Sequence, residues 1–136
     1  MKLLMIYMHN FAFKPNIKTI DTAKDAIDGG EATDALVGLI HVEAEDAEKS
    51  IYAETKLVKN LKWAARRNNT NRIVLHSFAH LSDSNSSPGF ASKLFDNVEA
   101  RLRNASYEVL QTPFGYFHDL KIDAPGYSFA RLFKSF

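Results

Sequence analysis

The sequence contains no cysteine, which removes disulfide cross-links, zinc-thiolate sites and a thiol nucleophile together. A cytoplasmic location fits that composition. No apolar run approaches the ~20 residues that a membrane-spanning helix needs. The apolar opening MKLLMIYM is short and gives way to His9 and Asn10 without a small-residue cleavage site, so a strand is expected there and not a signal peptide. Neither sign of charge dominates: 17 Lys and Arg face 16 Asp and Glu. The formal net charge of +1 excludes a strongly basic nucleic-acid coat, yet leaves room for a pocket that takes one end of an RNA. Neither a P-loop nor a GxGxxG fingerprint occurs, so nucleotide hydrolysis and dinucleotide binding lack support. HExxH and cysteine pairs are missing, so no metal site and no cofactor are expected. Without a GxSxG elbow, Ser82, His80 and Asp83 are too close in sequence to converge as a triad.

What is present fits one compact domain: 136 residues, 46% hydrophobic and 24% charged. Lys2 to Met8 reads as a strand that hardly alternates, hence one buried on both faces. Phe11 to Ile20 reads as a weaker strand interrupted by Pro15, which prefers an edge. Asp21 to Asp34 is expected to be a short helix and then a loop, because Asp28-Gly29-Gly30 is a stop signal. Ala35 to Val42 is the next strand, and Gly38 within it marks a bulge or the close approach of another backbone. The main helix is expected from about Asp46 to Arg67, with Ile51, Leu57, Val58, Leu61, Ala64 and Ala65 on its apolar face. Arg72 to Phe78 is a strand, and a second helix starts near Pro88, capped by Ser86 or Ser87. Its core face is Phe90, Ala91, Leu94, Phe95, Val98 and Leu102. Strands follow at Ser106 to Gln111 and Tyr116 to Asp123, the latter with clean alternation. A Phe-rich element, Tyr127 to Phe136, closes the chain. The fold class is therefore α/β: a single mixed-sheet domain with two long helices.

The chemistry-bearing residues are sparse. Of the five histidines, His76 and Phe78 share a strand face, while His80 falls past the strand end and is the better pocket residue. A packed histidine bonded to a backbone carbonyl is the plain alternative for His80. On patterning alone His118 reads as a solvent-facing strand residue and Arg131 as a surface charge. Lys56, Lys59, Lys62, Arg66 and Arg67 form a ridge on the first helix, the usual mark of a solvated face. Trp63 is expected in core or interface packing.

Two stretches then carry a resemblance. FAHLS (78–82), followed about thirty residues on by TPFGYFHDLKI (112–122), resembles the N-terminal editing domain of archaeal threonyl-tRNA synthetases, whose fold is D-aminoacyl-tRNA deacylase-like. The strand LVGLIHVE (36–43) and the two helices extend the resemblance over nearly the whole chain.

What the resemblance implies is hydrolysis of seryl-tRNA(Thr) at its acceptor end, with the L-serine moiety and terminal adenosine held in a pocket. An aminoacylation site built for threonine cannot strongly reject serine, since one methyl is worth only ~1–3 kcal/mol, and a second sieve is needed. The implied substrate-binding residues are Ile40, His41, Val42, Ser77, Phe78, Ala79, Phe114, Gly115, Tyr116 and Phe117; the implied catalytic ones are His80 and His118. The 2′-hydroxyl of the adenosine is expected to assist the water, with backbone N–H groups stabilising the oxyanion. The chain departs from the family pattern at Phe117-His118, where Tyr-Lys is usual, and at Arg131, where an acidic residue is common. A homodimer is expected. The alternative is a non-catalytic binding module of the same fold.

Overall fold

The computed structural model describes residues 1–136. The apolar opening continues through Phe11 and Phe13 as one long strand, β1 (Lys2–Lys18), so the two expected strands are one. Pro15 does not end it, but the pairing register with residues 116–123 shifts between Pro15 and Ile17. The ladder to the next strand, β2 (Gly30–His41), ends at Phe13, and Pro15 lies just beyond, where a missing N–H costs no bond on that side.

The helix expected in Asp21 to Asp34 does not form. Residues 21–23 make a turn and 24–29 run without regular structure into β2. Two contacts explain this. The Tyr116 hydroxyl donates to the Lys24 carbonyl at 3.0 Å and accepts from the Ala26 amide at 2.9 Å. Gly29 lies so close on β1 that a Cβ there would sit 2.3 Å from the Phe13 carbonyl oxygen. The segment's own apolar residues offer little to a helix, and Ile27 is 81% exposed.

A 3-10 turn (Ala44–Lys49) leads into α1 (Ser50–Arg67). Its buried stripe is Ala53, Leu57, Val58, Leu61, Ala64 and Ala65. Ile51, expected on that stripe, is 80% exposed, because two residues before Ala53 is about 200° around the helix. Gly38 marks neither a bulge nor an approaching backbone. Its neighbour is a side chain: a Cβ there would meet Leu61 Cδ2 at 2.9 Å. Next come β3 (Arg72–Ser77) and α2 (Pro88–Asn104), whose cap is Ser87, accepting from the Phe90 amide. Phe90 is only partly buried, while Ala91, Leu94, Phe95, Val98 and Leu102 are buried. Then follow β4 (Glu108–Gln111), β5 (Tyr116–Asp123) and β6 (Arg131–Ser135).

The result is a mixed α/β domain with one six-stranded sheet in the order β4-β3-β2-β1-β5, with β6 also on β1. β2, β3 and β4 are parallel, and the pairings of β1 are antiparallel. Both helices pack on one face over a core that includes Leu3, Met5, Leu57, Leu61, Ile73, Leu75, Phe95 and Leu102. In the closing element Leu132 and Phe136 pack on that core, whereas Phe129 and Phe133 are exposed. Trp63 is not in the core either; it is 38% exposed, with Arg67 and Lys134 over its ring. No helix is long and apolar enough to cross a membrane.

The opposite face has a second, smaller core of Met8, Phe11, Phe13, Ala35, Val37 and Val74. It exists because the sheet curls. β3 and β5 are three strand steps apart, which is ~14 Å in a flat sheet. Yet the rings of His76 on β3 and His118 on β5 are 5.5 Å apart, edge to face. The far half of β1 swings β5 over the open face.

Candidate active site

The curl closes a cavity of about 330 Å³ at the C-terminal ends of β2 and β3. Its walls come from three segments. Ile40 and Val42 extend from β2; Ser77, Phe78, Ala79 and His80 follow β3; Phe114, Gly115, Tyr116, Phe117 and His118 form the turn into β5. Gly115 is required at that turn: its φ of +89° suits only glycine, and a Cβ would lie 2.6 Å from Ala23 Cβ.

Three imidazoles face this space. His76 is buried, with Nδ1 3.0 Å from the Thr112 hydroxyl. Burial, with a smaller contribution from the His118 charge, lowers its pKa to about 4, so the ring is neutral at pH 7. His118 is lowered too, by burial. Both of its ring nitrogens are enclosed and have no hydrogen-bond partner. An enclosed polar group without a partner costs about 1–3 kcal/mol, so its retention calls for a reason. The rings of Phe13, His76 and Tyr116 surround it. The alternative of a solvent-facing His118 is thereby overturned. His80 stands at the rim, stacked on Phe117 at 5.9 Å and edge-on to Phe78 at 4.9 Å. It bonds no backbone carbonyl.

Backbone donors complete the lining. Phe78 N–H is taken by the Ile40 carbonyl and Leu81 N–H by His41 Nδ1. Between them, the amides of Ala79 and His80 have no acceptor within the protein. Two adjacent free donors at a cavity wall are the raw material of an oxyanion hole.

His41 is the one expected site residue that the structure places elsewhere. Its side chain is buried behind the loop. Nδ1 accepts from Leu81 N–H at 3.0 Å, which fixes the proton on Nε2; that nitrogen donates to the Ser84 carbonyl at 2.7 Å and Asn85 Oδ1 at 2.9 Å. His41 therefore pins the Ser-rich loop. Glu43 does the same from the next turn of chain: its carboxylate accepts from the Ser82 hydroxyl at 2.7 Å and the Met1 α-amino group at 2.6 Å. Burial pushes the Glu43 pKa up, but the bonds from Met1, Ser82 and Lys2 outweigh it and hold it at about 2. Ser82 is thus engaged by Glu43 and not by His80, which leaves no triad. There is no group of three or more His, Asp or Glu able to hold a metal ion.

A model of the family described as the "Archaea-specific editing domain of threonyl-tRNA synthetase" matches residues 1–136. The chain belongs to that family. Similar proteins include the threonine–tRNA ligase of Methanosphaera stadtmanae, 32% identical over 99% of this chain and 22% of the ligase. That of Methanocaldococcus jannaschii is 30% identical over 97% of the chain and 21% of the ligase. The chain thus spans about a fifth of the length of these relatives. Among solved structures, the c-Myc DNA Unwinding Element Binding Protein matches with a TM-score of 0.70 at 11% identity, covering 99% of this chain and 98% of that one. That last likeness is one of fold alone.

In this editing domain, every expected site residue except His41 lines one cavity. Sequence reasoning missed His76, which alternation put beside Phe78 but could not put opposite His118. It also missed Thr19 and Ile20 from β1 and its exit, and Asn85, Ser86, Pro88 and Ala91 around the start of α2. In the sequence Pro88 signals only a helix start. Arg131, the departure in the closing element, pairs with Ile6 at the start of β6 and is not part of the cavity wall.

Proposed function

We propose that this editing domain hydrolyses the ester of serine on the terminal adenosine of tRNA(Thr). Water adds to the ester carbonyl, the bond from the carbonyl carbon to the ribose 3′-oxygen breaks, and serine and a free 3′-hydroxyl leave. The vicinal 2′-hydroxyl positions the water. The free amides of Ala79 and His80 receive the charge that develops on the carbonyl oxygen. His118, neutral near pH 7, accepts a hydrogen bond from the 2′-hydroxyl or the water, and His80 closes the rim over the adenosine. The observation that carries this reading is the His118 ring, enclosed with neither nitrogen bonded, in the same cavity as two unbonded amides. Such a site is satisfied by a polar group that enters it, a substrate hydroxyl or the attacking water. Serine and threonine would be separated by the stiff wall of Gly115 and the loop held by His41 and Glu43, with no room left for the extra methyl.

The deciding experiment is a single-turnover assay with the domain in excess over seryl-tRNA(Thr) or threonyl-tRNA(Thr). Release of serine and retention of threonine is the expected result. The substitution of Phe117-His118 for the usual Tyr-Lys favours a second reading, a module that holds the aminoacylated end without turnover. Binding of a 3′-seryl-amide of adenosine without loss of serine from the ester would establish that one. The 54% exposure of Phe133 on β6 supports pairing of two copies of the domain; crosslinking that yields monomer alone would contradict it.

A further inference from the structure

We propose that the cleft next to the cavity is a subsite for the nucleotide preceding the terminal adenosine, and that its chemistry selects cytidine. This rests on the reading that the adenosine ester occupies the cavity.

The cleft measures about 470 Å³. Ile20, Pro88 and Phe114 wall both hollows, so a chain leaving the cavity across this ridge enters the cleft directly. Thr112 ties them together from behind: it lines the cleft, and its hydroxyl bonds His76 in the cavity. The two differ in character. Ten of nineteen residues lining the cavity are hydrophobic, against four of thirteen in the cleft, so the cleft suits a more polar occupant.

Its polar groups match a pyrimidine nucleotide that brings a phosphate and an amine. Lys24 lines the cleft without a carboxylate partner, because the adjacent Asp25 is taken by Lys18 at 2.8 Å. An unpaired ammonium is the natural contact for the phosphate that joins two nucleotides. Asp96, also in the lining, presents a carboxylate bonded only by a long 3.3 Å contact from Gln111, with Ser92 one helical turn before it. A carboxylate accepts from the exocyclic amine of cytosine and is repelled by the carbonyl oxygen at the same position of uracil. The side near Gly89 is open, with no heavy atom within 4 Å of where its Cβ would stand, which leaves space for the ribose.

The test uses the intact domain and three 3′-seryl-amide probes: adenosine, cytidylyl-adenosine and uridylyl-adenosine. Titrations should show the cytidylyl probe binding about tenfold more tightly than adenosine alone, the order expected for one charge-assisted contact, with the uridylyl probe between them. Lys24→Ala should bring both dinucleotides down toward adenosine. Asp96→Asn should erase the difference between cytidylyl and uridylyl. Both residues are exposed, so neither change threatens the fold. Equal affinity of the wild-type domain for adenosine and cytidylyl-adenosine would overturn the subsite, as would variants that weaken all three probes alike. If the adenosine probe does not bind at all, the editing reading and the subsite fall together. Tighter binding of cytidylyl-adenosine with no hydrolysis of the corresponding ester would leave the subsite standing and remove only the catalytic step.

Discussion

On the helix side of the sheet Leu3, Met5, Leu57, Leu61, Phe95 and Leu102 are buried among other apolar residues. On the curled side a core of six buried residues gives way to His76 and His118, one held by a single hydroxyl and the other by nothing. The first region maximises apolar burial. The second keeps enclosed nitrogens that a methyl-lined wall would have avoided. Such a group is tolerated where the rest of the molecule supplies the stability and where a ligand supplies the missing bonds. The contrast separates what holds this domain together from what it holds.

The largest effect should come from cutting the helix-side core. Phe95→Ala is expected to lower the unfolding free energy by about 3–5 kcal/mol, measured by urea denaturation. A loss below 1 kcal/mol would mean that the two regions do not differ as described.

Next comes the pH dependence of stability, which belongs to the curled side. His76 has a folded pKa of about 4 against an ordinary 6.5, so between those values the unfolded chain binds the extra proton. Stability from this residue is fully present above pH 6.5, falls as the pH drops toward 4, and amounts to about 3 kcal/mol. His76→Phe should flatten that part of a denaturation-versus-pH curve. Below pH 4.5 a further decline is expected, as Glu43 is protonated toward its folded pKa of about 2. An unchanged slope in the His76 variant would place the acid sensitivity elsewhere.

Removing the nucleic acid's own reactive group ranks third. A seryl ester on a tRNA ending in 2′-deoxyadenosine should react at least about a hundredfold more slowly, at the low end for a positioned proton-transfer group. Rapid turnover of the deoxy substrate would end the substrate-assisted account.

The smallest effects should sharpen the comparison most. His118→Ala is expected to slow serine release about tenfold, the loss of one hydrogen bond in the transition state. Because the ring makes no hydrogen bond to lose and its enclosed nitrogens go unpartnered, His118→Phe should leave stability unchanged or raise it by up to about 1–3 kcal/mol. A large destabilisation by that variant would make His118 a structural residue. In the wild type the rate should fall on the acid side only below the usual histidine range, since burial lowers the pKa of His118.

Much of this architecture was legible from residue patterning. The alternation of Tyr116 to Asp123, the apolar stripe from Leu57 to Ala65 and the Ser87-Pro88 start of α2 are local signals, set by periods of two and 3.6 and by capping. Patterning failed where long-range contacts overrode local ones. Lys24 and Ala26 are tied through their backbone to the Tyr116 hydroxyl, some ninety residues away in sequence. His41 looked like a site residue because its neighbours Ile40 and Val42 are; alternation along β2 sends it to the other side, where loop atoms meet it.

The order of apolar and polar residues alone determined a mixed α/β domain and its two helices. Only the tertiary structure decided that the sheet curls far enough to bring His76 against His118, that the amides of Ala79 and His80 are left free, and that a polar cleft adjoins the cavity. The reason is physical. Helix and strand are chosen by neighbours a few residues apart, whereas the shape of a site depends on strand twist accumulated across the whole sheet, which no short stretch of sequence contains.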